Sequence, residues 1–146
     1  MLEAMQFVAA LSCTLFTGAA IYINLVEHPA RMGCGTELAI TEWAPSYKRA
    51  AIMQASLAVV STISGAASWL MTNEILWLLG ALLIFAVIPF TLIVIMPTNN
   101  ILLDPGVDKT SPTTHILLEK WGKLHGVRSI LSLVASSVFL FLLVRS

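Results

Sequence analysis

ILWLLGALLIFAVIPFTLIVIM, residues 75–96, runs for 22 positions without one ionisable side chain. Crossing ~30 Å of hydrocarbon takes ~20 apolar residues at ~1.5 Å rise per residue, so this stretch reads as a transmembrane helix. Three more stretches of similar length follow the same rule, at about 5–25, 50–71 and 126–144, and none has Asp, Glu or Lys in its interior. Composition agrees: 58% of the residues are hydrophobic and 11% are charged, and the mean hydropathy is +0.87. A water-soluble core of this size has no way to hide that much apolar surface. The net charge of +0 carries little information, because the charges are sorted by place along the chain.

The sorting predicts a topology. Arg31, Lys48 and Arg49 flank or occupy the first connection, and Lys109, Lys120, Lys123 and Arg128 belong to the third, against Arg145 alone on the other side. Basic residues mark the cytoplasmic side, or the matrix side in a mitochondrion, so both long connections are expected there and both termini opposite. The short Thr72-Asn73-Glu74 turn makes the second and third spans an antiparallel hairpin. The expected fold is therefore all-α, an integral membrane antiparallel four-helix bundle running up-down-up-down as a single domain over residues 1–146. The first stretch is read as a retained helix rather than a signal peptide, because Glu3 stands where a basic n-region belongs. Cys13 and Cys34 suggest no disulfide framework. Pro29, Pro45, Pro97, Pro105 and Pro112 are the expected breaks, and Pro89 is expected to kink the third span.

Two polar ladders stand out against the apolar background. Asn24, Glu27, His28 and Arg31 are spaced i, i+3, i+4 and i+7, one face of a helix if it continues through Pro29. They read either as an interfacial cap, with Glu27 pairing Arg31 and Asn24 bonding a neighbouring helix, or as one wall of a site. Trp121, His125 and Arg128 repeat that spacing at the start of the fourth span. Trp121 alone fits an interfacial aromatic belt, whereas a guanidinium followed by an apolar run needs a partner such as Glu27 or a wet cavity. Gly122 and Gly126 beside them give a small-xxx-small spacing suited to close helix contact. Gly65-Ala66-Ala67-Ser68, Ser61, Ser64, Ser132 and Ser136 read as helix-packing contacts. Tyr47, Lys48, Gln54, Asn99 and Asn100 lie at the same end in this topology, which predicts a shallow pocket covered by the connections.

Several chemistries lack their residues. There is no Glu-x-x-His pair for a di-iron bundle, no Gly-x-Ser-x-Gly elbow, no phosphate-binding glycine loop, no Cys-x-x-Cys pair and no nucleic-acid motif. No cofactor is expected, with a zinc or copper site on His28, His125 and Glu27, or a haem between His28 and His125, as the alternatives. What fits is proton chemistry on a lipophilic small molecule arriving from membrane lipid. An imidazole takes the proton, and Arg31, Arg128 or an Asn amide stabilises the oxyanion.

Asn24 with Glu27-His28-Pro29-Ala30-Arg31, then Met96-Pro97-Thr98-Asn99-Asn100, then Trp121-x-x-x-His125-x-x-Arg128 resemble the family of small membrane proteins that includes the fungal anthrone oxygenases. The resemblance implies four spans and, in members of known activity, oxidation of an anthrone to an anthraquinone by dioxygen without an established organic cofactor. It implies Asn24, His28, Arg31, Asn99, Trp121, His125 and Arg128 as candidates. His125 is the first choice of base and His28 the second, with Arg128 and Asn24 on the phenolate oxygens and Trp121 stacked on the flat rings. Arg31 and Asn99 are expected to help bind the substrate. The alternative is a non-catalytic lipid- or quinone-binding membrane protein or an accessory subunit of a larger membrane complex. The expected partners are a lipophilic small molecule, membrane lipid, and a homo-oligomer or larger membrane complex.

Overall fold

A computed structural model describes residues 1–145, which form four long helices. We label them α1 (Leu2–Gly33), α2 (Thr36–Thr72), α3 (Ile75–Leu102) and α4 (Pro112–Arg145), each long and apolar enough to cross a membrane. No strand occurs among the described residues. α1 packs on α2 and α4, and α3 packs on the same two, so the four close into an antiparallel up-down-up-down ring. This is the expected membrane bundle. Its outer face carries Leu15, Ile52, Ile63, Leu82, Ile93, Ile130 and Phe141, all more than 45% exposed, which suits contact with lipid tails.

The helices outrun the apolar stretches, and the first connection shrinks to Cys34–Gly35, where Gly35 takes φ +91°. The expected long first connection is thus corrected, and Pro45 lies inside α2 without ending it. The reason is amphipathicity: Ala39, Ile40 and Trp43 are buried while Glu37, Glu42, Lys48 and Arg49 are exposed. α4 begins in the same way, with Thr114, Leu118, Trp121 and His125 buried at alternating steps of four and three. Ser111 Oγ accepts the Thr114 N–H at 3.1 Å, and Pro112 follows it at the first helical position.

Pro29 and Pro97 do not break their helices either. Each is preceded by a π-helical turn, Ile23–Glu27 in α1 and Thr91–Ile95 in α3. His28 N–H bonds to Ile23 O and Met96 N–H to Thr91 O, five residues back in both cases. In a regular α-helix the proline ring would strike the carbonyl four residues earlier, and the wider turn accommodates it. At the other end Asn73 takes φ 56° and Glu74 accepts the Leu76 N–H, giving the expected short hairpin turn, with Thr72 still in the helix.

Two apolar cores fill the ring. One, near the termini, gathers Phe16, Ala58, Trp77, Ile84, Val87, Ala135 and Phe139. A Cβ at Gly65 or Gly80 would lie 2.8 or 2.4 Å from the Phe139 ring, so both glycines admit that side chain. Ser61 Oγ donates to Ala9 O at 2.9 Å across α1 and α2, the packing role its sequence suggests. The other core, near the long connection, gathers Ile23, Ile40, Trp43, Ile95, Leu102, Leu118 and Trp121.

Candidate functional site

Between the two cores lies a polar layer. Asn24 of α1, Gln54 of α2, and His125, Arg128 and Ser129 of α4 share it, and all but the half-buried Asn24 are buried. Asn24 Nδ2 donates to Gly122 O at 2.9 Å, which fixes the amide's orientation because a carbonyl only accepts. Its Oδ1 therefore faces α4, accepting from Ser129 Oγ at 2.6 Å and from His125 Nδ1 at 2.7 Å. His125 then carries its proton on Nδ1, and Nε2 keeps the lone pair. His28 is set the opposite way. Its Nε2 donates to Leu118 O at 3.0 Å, so the lone pair sits on Nδ1, which is buried without a partner. A Cβ on Gly122 would lie 2.6 Å from His28 Cδ2, whereas one on Gly126 would meet nothing nearer than 3.9 Å. The close contact expected of this glycine pair belongs to Gly122.

Arg128 is 7% exposed and makes no ion pair among the described residues. Its Nη2 donates to Gln54 Oε1 at 2.7 Å, and its guanidinium carbon stands 5.5 Å from the centroid of the Phe16 ring. Glu27 is not its partner: as its spacing suggested, Glu27 pairs with Arg31, its Oε1 accepting from Arg31 Nη2 and also from Ser46 Oγ. Arg31 also has Nε 2.7 Å from Glu42 Oε2, an ion pair in which the N–H is not aimed at the oxygen. Arg31 thus clips α1 to α2. Its two carboxylates leave little of its charge for a substrate. Arg128 Nε and Gln54 Nε2, by contrast, are buried donors without acceptors. Such groups are costly unless something meets them.

Trp121 is 3% exposed, which corrects the interfacial-belt reading. It packs against His28 at 5.1 Å, His125 at 4.9 Å and the edge of Trp43 at 5.6 Å between ring centroids. Trp43 stacks on Tyr47 at 5.0 Å, and Asn99 Nδ2 donates to the Tyr47 hydroxyl at 2.9 Å. Asn99 therefore supports the layer through Tyr47. Among the described residues no three His, Cys, Asp or Glu side chains gather as a metal set.

A cleft of about 180 Å³ opens beside the layer, with Arg128, Gln54, Tyr47 and Phe16 among its walls. A second cavity, of about 10 Å³, joins His125, Arg31, Trp121 and Arg128 to Tyr47 and Gln54. The expected shallow pocket under the connections is corrected, because the Trp43–Leu118 core lies between the layer and those connections. Burial, with access from the side, replaces it. Of the sequence candidates, Arg128 lines the cleft; His125, Trp121 and Arg31 line the smaller cavity; Asn24, His28 and Asn99 brace them from behind. Ser129, Phe16 and Trp43 were not singled out. Ser129 follows Arg128 and lies i+4 from His125, a spacing that a search for hydroxyls beside the polar ladder would have found.

The family model for anthrone oxygenase matches residues 43–138, from Trp43 into the fourth span. The chain belongs to the anthrone oxygenase family. An anthrone oxygenase of Claviceps purpurea (strain 20.1) is 27% identical over 143 residues, covering 88% of this chain and 82% of the relative. No solved structure matches significantly. The family match takes in Trp43, Tyr47, Gln54, Asn99, Trp121, His125 and Arg128, and it leaves out the α1 segment with Asn24, His28 and Arg31.

Proposed function

We propose that this protein is a membrane-embedded oxygenase that uses dioxygen to oxidise a lipophilic phenol, quinol or anthrone. The observation that carries the reading is the Asn24–His125 hydrogen bond, which leaves the Nε2 lone pair of His125 in the layer where Arg128 and Gln54 hold unsatisfied donors. Membership in the family and the activity for which the Claviceps relative is named support it.

In an anthrone the ring CH₂ lies between two arenes and opposite a carbonyl, so loss of its proton moves negative charge onto that oxygen. His125 Nε2 takes the proton, and Arg128 and Gln54 donate to the oxygen as the charge develops. The resulting electron-rich ring system gives electrons to dioxygen. One oxygen atom stays on the ring carbon as the new carbonyl, and the other leaves as water with the two hydrogens of the CH₂. The reaction needs no organic cofactor because the substrate anion itself is the reductant. Trp121 packs on the His125 ring and is itself packed by His28. The basic ends of the helices lie on the cytoplasmic or matrix side in this reading.

The test is oxygen consumption by the purified protein in lipid nanodiscs supplied with an anthrone. One dioxygen used for each anthraquinone formed is the expected result. No rate above protein-free nanodiscs, with or without added metal ions, overturns the reading, and binding without turnover assigns the site to a quinone-binding role.

A further inference from the structure

We propose that the groove between α2 and α3 is a lateral portal from the hydrocarbon to the Arg128–Gln54 pair, with Ala51 and Ala55 setting the width of ligand it admits. The proposal rests on the oxidative reading only for the identity of the ligand.

The cleft has a rim and a floor of different character. At the rim stand Ala55 and Leu92, both exposed, with Ala51, Ile88 and Met96 half-buried just inside. The floor is Gln54, Phe16, Ala58 and Val87, each at most 2% exposed, together with Arg128. Ile52 and Ile93, 73% and 72% exposed, flank the rim on the outer surface. An opening onto water would carry polar side chains at its mouth. This one carries them at its floor, so it faces lipid.

Both walls are built for passage. Ala51, Ala55 and Ala58 put three small side chains on the α2 side. Opposite them is the π-helical turn Thr91–Ile95, of which Thr91 and Leu92 line the cleft. Larger residues at the alanines would close the groove without touching the polar layer. The floor also selects by hydrogen bonding. Arg128 Nε and Gln54 Nε2 are unpartnered donors. Gln54 Oε1 is taken by Arg128, and the Tyr47 hydroxyl oxygen by Asn99, which leaves the Tyr47 proton to donate. The polar groups without any partner are donors, which favours an arriving molecule that leads with a carbonyl or phenolate oxygen.

The test uses binding of a hydroxyanthraquinone to nanodisc-embedded protein, measured anaerobically by equilibrium dialysis and by stopped flow. Ala55→Phe and Ala51→Phe should each weaken binding by about tenfold, the scale of overpacking a filled space. Val59→Phe, on the outer surface of the same helix and outside the cleft, should leave it unchanged. Removing bulk at the rim with Leu92→Ala should speed association in a protein that unfolds at the wild-type temperature. Wild-type affinity and association rate in both folded phenylalanine variants overturn the portal, as does a wild-type protein that fails to bind the probe. Binding that obeys these rules without oxygen uptake on an anthrone leaves the portal standing and removes the oxidative reading.

Discussion

Asn24 of α1 and His125 of α4 are 101 positions apart in sequence and 2.7 Å apart in space, and the amide decides which imidazole nitrogen carries the proton. The same amide is held by Gly122 O and by Ser129 Oγ, so its orientation does not depend on His125. We expect Asn24→Ala to lower turnover by roughly a hundredfold, the usual worth of a positioned base. It should cost about 1–3 kcal/mol of stability through the unpaired groups left in the bundle. Oxygen uptake and thermal unfolding in nanodiscs measure the two separately. Ser129→Ala removes one donor and should cost only about 1 kcal/mol.

Gly122→Ala and Gly126→Ala should behave differently although the two glycines share a motif. The new Cβ at position 122 would meet His28 at 2.6 Å and push the ring off Leu118 O, while the one at 126 meets only an ordinary contact at 3.9 Å. We expect about 1–3 kcal/mol of destabilisation for the first and little for the second. Equal effects on unfolding temperature would show that the helix approach, not the His28 contact, is what Gly122 serves.

The four spans were legible because a run such as residues 75–96 has one physical solution in lipid. The helix extensions were less visible. TELAITEWAPSYKRA, residues 36–50, is polar on average, and only the spacing of Ala39, Ile40 and Trp43 gives the helix away. The π-helical turns left no composition signal apart from a proline two residues beyond each. At the site, the ladders of α1 and α4 pointed to Asn24, His28, His125 and Arg128, since helical spacing puts them on one face. Their partners came from elsewhere in the chain. Glu27 with Arg31 is an i, i+4 pair on one helix and was legible from spacing, whereas the pairing of Arg128 with Gln54, and of Glu27 with Ser46, depends on how helices are rotated against one another, which one sequence does not state.

Cys34 gives a direct reading of orientation. It is exposed at the α1–α2 connection, while Cys13 is buried within the bundle. A membrane-impermeant thiol reagent added to sealed vesicles should label Cys34 only from the side opposite a C-terminal tag, the cytoplasmic or matrix side by the distribution of Lys and Arg. Labelling from the same side as the tag would overturn the proposed topology.

Arg128 and Gln54 form a buried charge–amide pair, and removing either member alone leaves the other stranded. Arg128→Leu strands Gln54 Oε1, and Gln54→Leu strands the guanidinium beside Phe16, so each should lose about 1–3 kcal/mol. The second should lose more, because an uncompensated buried charge costs more than an uncompensated amide. The double variant Gln54→Leu with Arg128→Leu removes both polar groups and should recover much of the stability, a coupling of about 0.5–3 kcal/mol in a double-mutant cycle. Function should not recover with it. If Arg128 and Gln54 receive the oxygen of the substrate, the stable double variant still lacks both donors and should show neither anthrone oxidation nor hydroxyanthraquinone binding. Restored stability with restored activity would reduce the pair to a structural contact.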